Sequence, residues 1–83
     1  MHIELANATS LNPDAFVADV IVNDIFAYRI VSMMNDGVNT LRLKDAETGE
    51  IVSETVSDRG KPFGSFDRYW WVKKTLEVEN NNH

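Results

Sequence analysis

Cysteine is absent from this chain of 83 residues, and histidine occurs only at positions 2 and 83. Without cysteine the chain has no disulfide, no thiolate nucleophile and no Cys-ligated zinc or iron–sulfur cluster. Small secreted proteins usually depend on disulfides, so their absence predicts a reducing, intracellular setting, the cytoplasm. Neither histidine has a second ligand at metal-binding spacing. We therefore expect no metal site and no cofactor.

Long apolar runs and phosphate-binding loops are absent as well. No stretch approaches the ~20 apolar residues that cross a bilayer. The N-terminal residues carry neither the basic region nor the apolar segment of a signal peptide. We therefore expect no membrane contact. Gly60 and Gly64 flank Lys61, but no Gly-Lys-Ser/Thr sequence follows, so no nucleotide-binding loop is predicted.

Catalytic residue combinations are also scarce. The usual pairs of nucleophile and base need cysteine or an internal histidine, which leaves carboxylates, lysine and tyrosine as candidates. The acidic residues are scattered over turns and over strand positions that should face water. Such scattered acids are typical of a solubilising surface. The sequence therefore predicts a protein without enzymatic activity.

What remains is an ordinary globular composition. Hydrophobic residues make up 43% of the chain and charged residues 25%, and the formal net charge is −5. The length predicts one small domain over residues 1–83, with a modest core. The polar end at 79–83 is predicted to be frayed.

An alternation of apolar and polar residues indicates β-strands in the middle of the chain. Asp36 and Gly37 separate the first two of these segments and tolerate the positive φ angles of a tight hairpin turn. A second turn is predicted before the third segment, with Gly49 in the left-handed conformation. The alternating segments, which we interpret as a three-stranded antiparallel meander, are 25–34, 38–45 and 50–57.

Two further segments, 13–24 and 67–78, fit either a strand or a short helix. Asn12-Pro13-Asp14 resembles a helix start, whereas the β-branched residues that follow favour a strand. In 67–78 the alternation favours a strand, although Asp67 could cap a helix. The predicted fold class is β-rich, all-β or α+β. It is a small antiparallel meander, either barrel-like or a sheet with one or two short helices at these segments.

Charge is distributed unevenly along the chain. Residues 1–58 carry a net charge of −7, residues 59–74 carry +4, and the last nine residues carry −2. The basic segment also holds five of the eight aromatic residues. Tyr, Trp and Arg are the residue types most enriched at binding hot spots. The segment 59–74 is therefore the predicted binding segment.

The choice of contact residues depends on which aromatics close the core. Trp70 with Val72 could supply core area, and on a strand the adjacent Trp71 would then point to the opposite face. On a helix the two tryptophans would be about 100° apart, and both could be buried. The predicted partner-binding residues are Arg59, Lys61, Arg68, Tyr69, Trp71 and Lys73.

Three functions fit these features. The first is a small non-enzymatic protein-binding module, an inhibitor or adaptor, of the kind that phages and mobile elements often encode. The second is a single-stranded nucleic-acid binder, which the basic and aromatic segment favours and the net charge of −5 disfavours. The third is a self-assembling subunit of a larger particle, because edge strands and a small core favour homo-oligomers.

Overall fold

The chain folds as one five-stranded antiparallel sheet with a helix at its C-terminal end. The computed structural model describes residues 1–12, 15–57 and 63–81. The strands follow their chain order across the sheet, so β1 and β5 are its edges and the sheet does not close. The β-rich fold class is confirmed, and the barrel-like alternative is wrong. The elements are β1 (Ile3–Asn12), β2 (Ala15–Val22), β3 (Ile25–Asn35), β4 (Val38–Asp45), β5 (Ile51–Val56) and α1 (Ser65–Asn81).

The predicted three-stranded meander is confirmed as β3, β4 and β5. Asp36 and Gly37 connect β3 to β4 with φ angles of 53° and 77°, the positive values that a two-residue hairpin turn requires. Gly49 adopts the left-handed conformation in the next turn, with φ of 77°. Local turn chemistry therefore specifies both connections, as the sequence predicted.

The helix alternative for 13–24 is wrong, because residues 15–22 form β2. Ala18 and Val20 are buried on one face of this strand, and Asp19 between them lies on the other. Asn23 and Asp24 then turn the chain into β3 with φ angles of 50° and 68°. Both residue types tolerate this conformation, so they provide a hairpin turn without glycine. The proposed helix start at Pro13 and Asp14 lies outside the described residues.

β1 has no counterpart in the sequence prediction. Ile3 and Leu5 alternate with polar or small neighbours, but the pairing with β2 shifts between Ala6 and Thr9. Asn7, at this irregularity, has a φ of 53°. A β-bulge of this kind interrupts the period of two by which strands are recognised.

The core lies between the helix and one face of the sheet. Its buried residues are Ile3, Ala18, Val20, Ile30, Leu41, Leu43, Val72 and Leu76. Fully burying such a side chain stabilises the fold by roughly 1.5–3 kcal/mol for Val, Leu or Ile. Ser32 and Asn39 are also buried. We call this side of the sheet the covered face and its opposite the open face.

The alternation of apolar and polar residues in 50–57 predicts that Val52 and Val56 lie on the core side of their strand, and for Val56 this is wrong. Val56 pairs with Thr40 on the open face and is 58% exposed, whereas Thr55 is the residue opposite the buried Leu41. The pairing of β4 with β5 shifts between Leu43 and Lys44. A shift of one residue exchanges the two faces of a strand. Val52 still packs against the core.

The preference for a strand at 67–78 is wrong, and the helix alternative is confirmed by α1. Val72 and Leu76 are both buried. Their spacing of four places them on one face in either a strand or a helix. Trp70 and Val78 fit only the strand pattern, since a helix rotates them about 160° and 120° away from Val72, and both are exposed.

The far end of α1 reaches part of the predicted frayed tail. The helix ends at Asn81, so residues 79–81 lie within it, while residues 82 and 83 lie outside the described part of the chain. No helix within that part is long and apolar enough to cross a membrane.

Candidate functional site

The basic and aromatic segment lies largely on α1, whose start is capped by its own residues. The Gly64 carbonyl accepts a hydrogen bond from the Arg68 N–H at 3.0 Å. Asp67 reaches back, and its Oδ2 accepts a hydrogen bond from the Gly64 N–H at 3.2 Å. This is the carboxylate half of a capping box, and its charge also favours the helix dipole. The helix begins two residues before the predicted segment, so Asp67 contributes to the cap from inside the first turn and is not itself the residue that precedes the helix.

The inward face of α1 completes the protein core. Val72 and Leu76 are buried, and Tyr69 and Trp71 are half-buried and pack against the same cluster. Phe63, which precedes the helix, packs there as well. Large aromatic side chains bury roughly 150–250 Å² each. These residues therefore provide much of the apolar area that holds the helix on the sheet.

Arg68 joins the helix to the sheet. Its guanidinium carbon lies 3.7 Å from the centroid of the Phe16 ring on β2, a cation–π arrangement. Burial of this guanidinium lowers the pKa of Arg68 below its ordinary value. The Nε atom is buried without a hydrogen-bond partner among the described residues. Arg68 therefore stabilises the packing of α1 on β2, and little of its surface is left for a partner.

The outward face of α1 carries an aromatic pair and a cation. Phe66 is 71% exposed and Trp70 is 42% exposed. Their ring centroids are 5.8 Å apart at an interplanar angle of 70°, an edge-to-face contact. Lys73 Nζ lies 5.3 Å from the centroid of the Trp70 ring. We call Phe66, Trp70 and Lys73 the outer aromatic cluster.

The structure separates the predicted partner-binding residues. Arg68, Tyr69 and Trp71 turn toward the core, and Lys73 lies in the outer aromatic cluster. Arg59 and Lys61 lie outside the described residues. The orientation expected for the two tryptophans is reversed, since Trp70 is the more exposed of the pair.

Sequence reasoning missed Phe66 and Trp70 as surface residues, although a signal for them was present. The two aromatics are four residues apart and Lys73 follows three residues later, so all three share one face of a helix. This spacing can be recognised as a shared face only after the segment has been assigned as a helix.

Titratable groups elsewhere form simple local contacts. His2 Nε2 lies 2.9 Å from Glu4 Oε1 on the exposed start of β1. Asp45 Oδ1 accepts hydrogen bonds from the N–H groups of Thr48 and Glu47, which lower the pKa of Asp45 below its ordinary value. Among residues 1–12, 15–57 and 63–81, no three potential metal ligands lie together.

Comparison with known proteins adds no functional information. No protein-family model matches the chain, and no curated protein and no solved structure matches it either. The geometry of the chain is therefore what bears on its function.

Proposed function

We propose that this chain is a non-enzymatic protein-binding module, of the inhibitor or adaptor type, that contacts its partner through the outer aromatic cluster. The observation that carries the proposal is the exposed pair Phe66 and Trp70 on a helix whose opposite face already completes the core. Exposed side chains add little to folding, whereas exposed aromatics are the residues that most often anchor a partner.

The geometry of the cluster favours a particular partner surface. Phe66 and Trp70 are one helical turn apart, the spacing with which a helix inserts anchors into an apolar groove. Lys73 and the exposed Lys74 adjoin this pair. A partner with an apolar groove and a carboxylate-bearing rim therefore fits both the rings and the cations.

The nucleic-acid alternative is less well supported. Of the bases in 59–74 that the structure describes, Arg68 stacks on Phe16 inside the fold, and Lys73 and Lys74 adjoin exposed rings. Asp67 and Glu77 lie exposed on the same helix. Single-strand binding depends on phosphate neutralisation along a basic groove, so two lysines beside two acids provide little affinity.

The test is the double variant Phe66→Ala/Trp70→Ala. The tagged wild-type chain and the double variant are used to capture proteins from the native host, and the captured partner is then purified and titrated by calorimetry. Because truncation of a hot-spot side chain typically costs at least ~2 kcal/mol, we expect the double variant to bind at least ~30-fold more weakly. Its circular dichroism and urea midpoint should match those of the wild type.

The matched control is Val78→Ala. Val78 is 67% exposed on the same helix, close to the exposure of Phe66, but lies two turns beyond Trp70. The Val78→Ala variant should bind the partner with a dissociation constant within ~3-fold of the wild-type value. The proposal fails if the double variant captures and binds the same protein as tightly as the wild type. Binding of a labelled oligonucleotide at low salt that the double variant loses would favour the nucleic-acid alternative instead.

A further inference from the structure

The open face of the sheet is the largest feature that the proposed function does not use. No described element lies over it, since α1 packs against the opposite, covered face. Strand pairing aligns Val17 with Val31 near its centre and Ala15 with Met33 toward the end that adjoins the turn from β3 to β4. Met33 is 50% exposed. A surface concavity of about 350 Å³ also opens here, lined by Val31, Met33, Met34, Thr40 and Arg42.

The charges of this face set it apart from the rest of the protein. Residues 1–58 contain only three basic residues against ten acids, and all three bases lie on strands with their side chains on the open face. Three acids lie among them, so the described residues of the open face are electrically neutral together, in a chain of net charge −5. The bases are Arg29, Arg42 and Lys44, and the acids are Glu4, Asp19 and Glu54.

These charges are ordered across the sheet. Glu4 and Asp19 lie on β1 and β2, whereas Arg42 and Lys44 lie on β4. Within the chain, Asp19 pairs with Arg29 at 3.6 Å and Arg42 pairs with Glu54 at 2.8 Å. The β1–β2 side of the face therefore carries two acids, and the β4–β5 side carries two bases and the acid Glu54, which leaves it an excess of one positive charge. The centre between the two sides is apolar.

We infer that the open face binds a second copy of this chain, sheet against sheet. A two-fold axis parallel to the strands would lay the acidic side of each copy on the basic side of the other. Asp19, Arg29 and Lys44 share one register row, so Asp19 of one copy would meet Lys44 of the other. Arg29 would lie near the axis, where Asp19 of its own chain neutralises it.

The size of the face suits such a dimer. Five strands ~4.8 Å apart, each about eight residues long, give a face of ~600 Å². Two copies would bury ~1,200 Å², the lower limit of a specific interface, with the sheets ~10 Å apart as in a β-sandwich. The neutrality of the face also allows two chains of net charge −5 to approach without like-charge repulsion at the contact.

The first test is the mass in solution by sedimentation equilibrium. The wild type should approach twice the chain mass of 9.4 kDa as its concentration rises. Met33→Lys should raise the dimer dissociation constant at least ~10-fold, because it places an unpaired charge among the apolar residues of the central strand β3 within the interface. Val78→Lys adds the same charge to the exposed side of α1 and should leave the dissociation constant unchanged.

The second test is a charge exchange between copies. Lys44→Glu and Asp19→Lys should each dimerise at least ~10-fold more weakly than the wild type, because each places like charges opposite one another. Mixed together, the two variants should form a heterodimer that is tighter than either homodimer, although weaker than the wild-type dimer because Asp19→Lys also removes the partner of Arg29. Circular dichroism of each variant checks that the sheet is intact.

Several outcomes would overturn the inference. One is a wild-type chain that stays at 9.4 kDa up to ~1 mM, a concentration at which an association free energy of only ~4 kcal/mol would already produce detectable dimer. Another is a dimer that Met33→Lys leaves intact, and a third is a mixture without heterodimer. A monomer that binds single-stranded nucleic acid through Arg29, Arg42 and Lys44 would assign the face to that ligand instead. None of these outcomes affects the outer aromatic cluster.

Discussion

The two faces of the sheet are both rich in apolar residues, yet they differ in burial. On the covered face Val20, Ile30 and Leu41 are fully buried under α1. On the open face Val17 and Val31 are only half-buried, between paired charges. Both faces of the strands therefore carry apolar residues, and the position of α1 decides which face becomes the core.

The covered face therefore stabilises the fold, whereas the open face and the outward side of α1 are available for binding. Burial on the covered face supplies the stability, since hydrophobic stabilisation scales with the area removed from water. The open face and the outward side of α1 contribute little of that area. They lie on opposite sides of the protein, so a dimer formed through the open face would present two outer aromatic clusters. A partner with two sites would then gain avidity without any new contact.

The largest expected effect comes from comparing the same Val→Ala substitution, made in two separate variants, on the two faces of β2. Val20→Ala removes two methyl groups from a fully buried site and should lower the free energy of unfolding by ~2–3 kcal/mol. Val17→Ala makes the same change on the open face and should cost less than ~1 kcal/mol. Both are measured by urea denaturation at a concentration where the chain is monomeric. Equal losses would mean that the open face is covered in the folded monomer.

The next comparison concerns the two cation–π contacts of α1. Arg68→Ala removes the contact with Phe16 that joins helix to sheet, at 3.7 Å, and should cost ~1–2 kcal/mol of unfolding free energy. Lys73→Ala removes the exposed contact with Trp70, at 5.3 Å, and should cost less than ~0.5 kcal/mol. Urea midpoints of the two variants measure the difference. A larger loss at Lys73 would place the outer aromatic cluster in the fold rather than in binding.

The elements that the sequence predicted are those whose signals are local. β3, β4 and β5 alternate over most of their length and are joined by turns at Asp36-Gly37 and at Gly49, where φ is positive. The irregular register of β1 around Asn7 hid that strand, and a register shift reversed the expected burial of Val56. Bulges depend on pairing with a neighbouring strand, so the sequence of one strand does not show them.

The candidate site was predicted at the level of the segment but not of the residue. Its composition identified 59–74, and the half-buried Lys73 does lie beside the exposed Trp70. The assignment of the tryptophans failed because burial depends on the secondary structure, and Val72 and Leu76 fit a strand and a helix equally well. Only the packing of α1 on the sheet distinguishes Trp70 from Trp71.

The smallest expected effect lies in the turn between β4 and β5, which belongs to neither face. The N–H of Thr48, and then that of Glu47, hold the pKa of Asp45 below its ordinary value of 3.8. A lowered folded-state pKa contributes stability that is present above the unfolded value and is lost as pH falls through the folded one. Asp45 therefore adds to the acid sensitivity of the protein, below about pH 4.

Asp45→Asn tests this contribution, because its amide oxygen still accepts both hydrogen bonds but does not titrate. We expect the variant to be slightly less stable than the wild type at pH 7, since a charged acceptor forms the stronger bonds. The difference should shrink as the pH falls below about 4, where the carboxylate takes up a proton first in the unfolded chain and, at lower pH, in the folded chain. Urea denaturation at several pH values measures it. The same shrinkage should appear in the Val17→Ala background, because Val17 and Asp45 share no register row and effects at distant sites add. A difference that stays constant with pH would show that the pKa of Asp45 is not lowered in the folded chain.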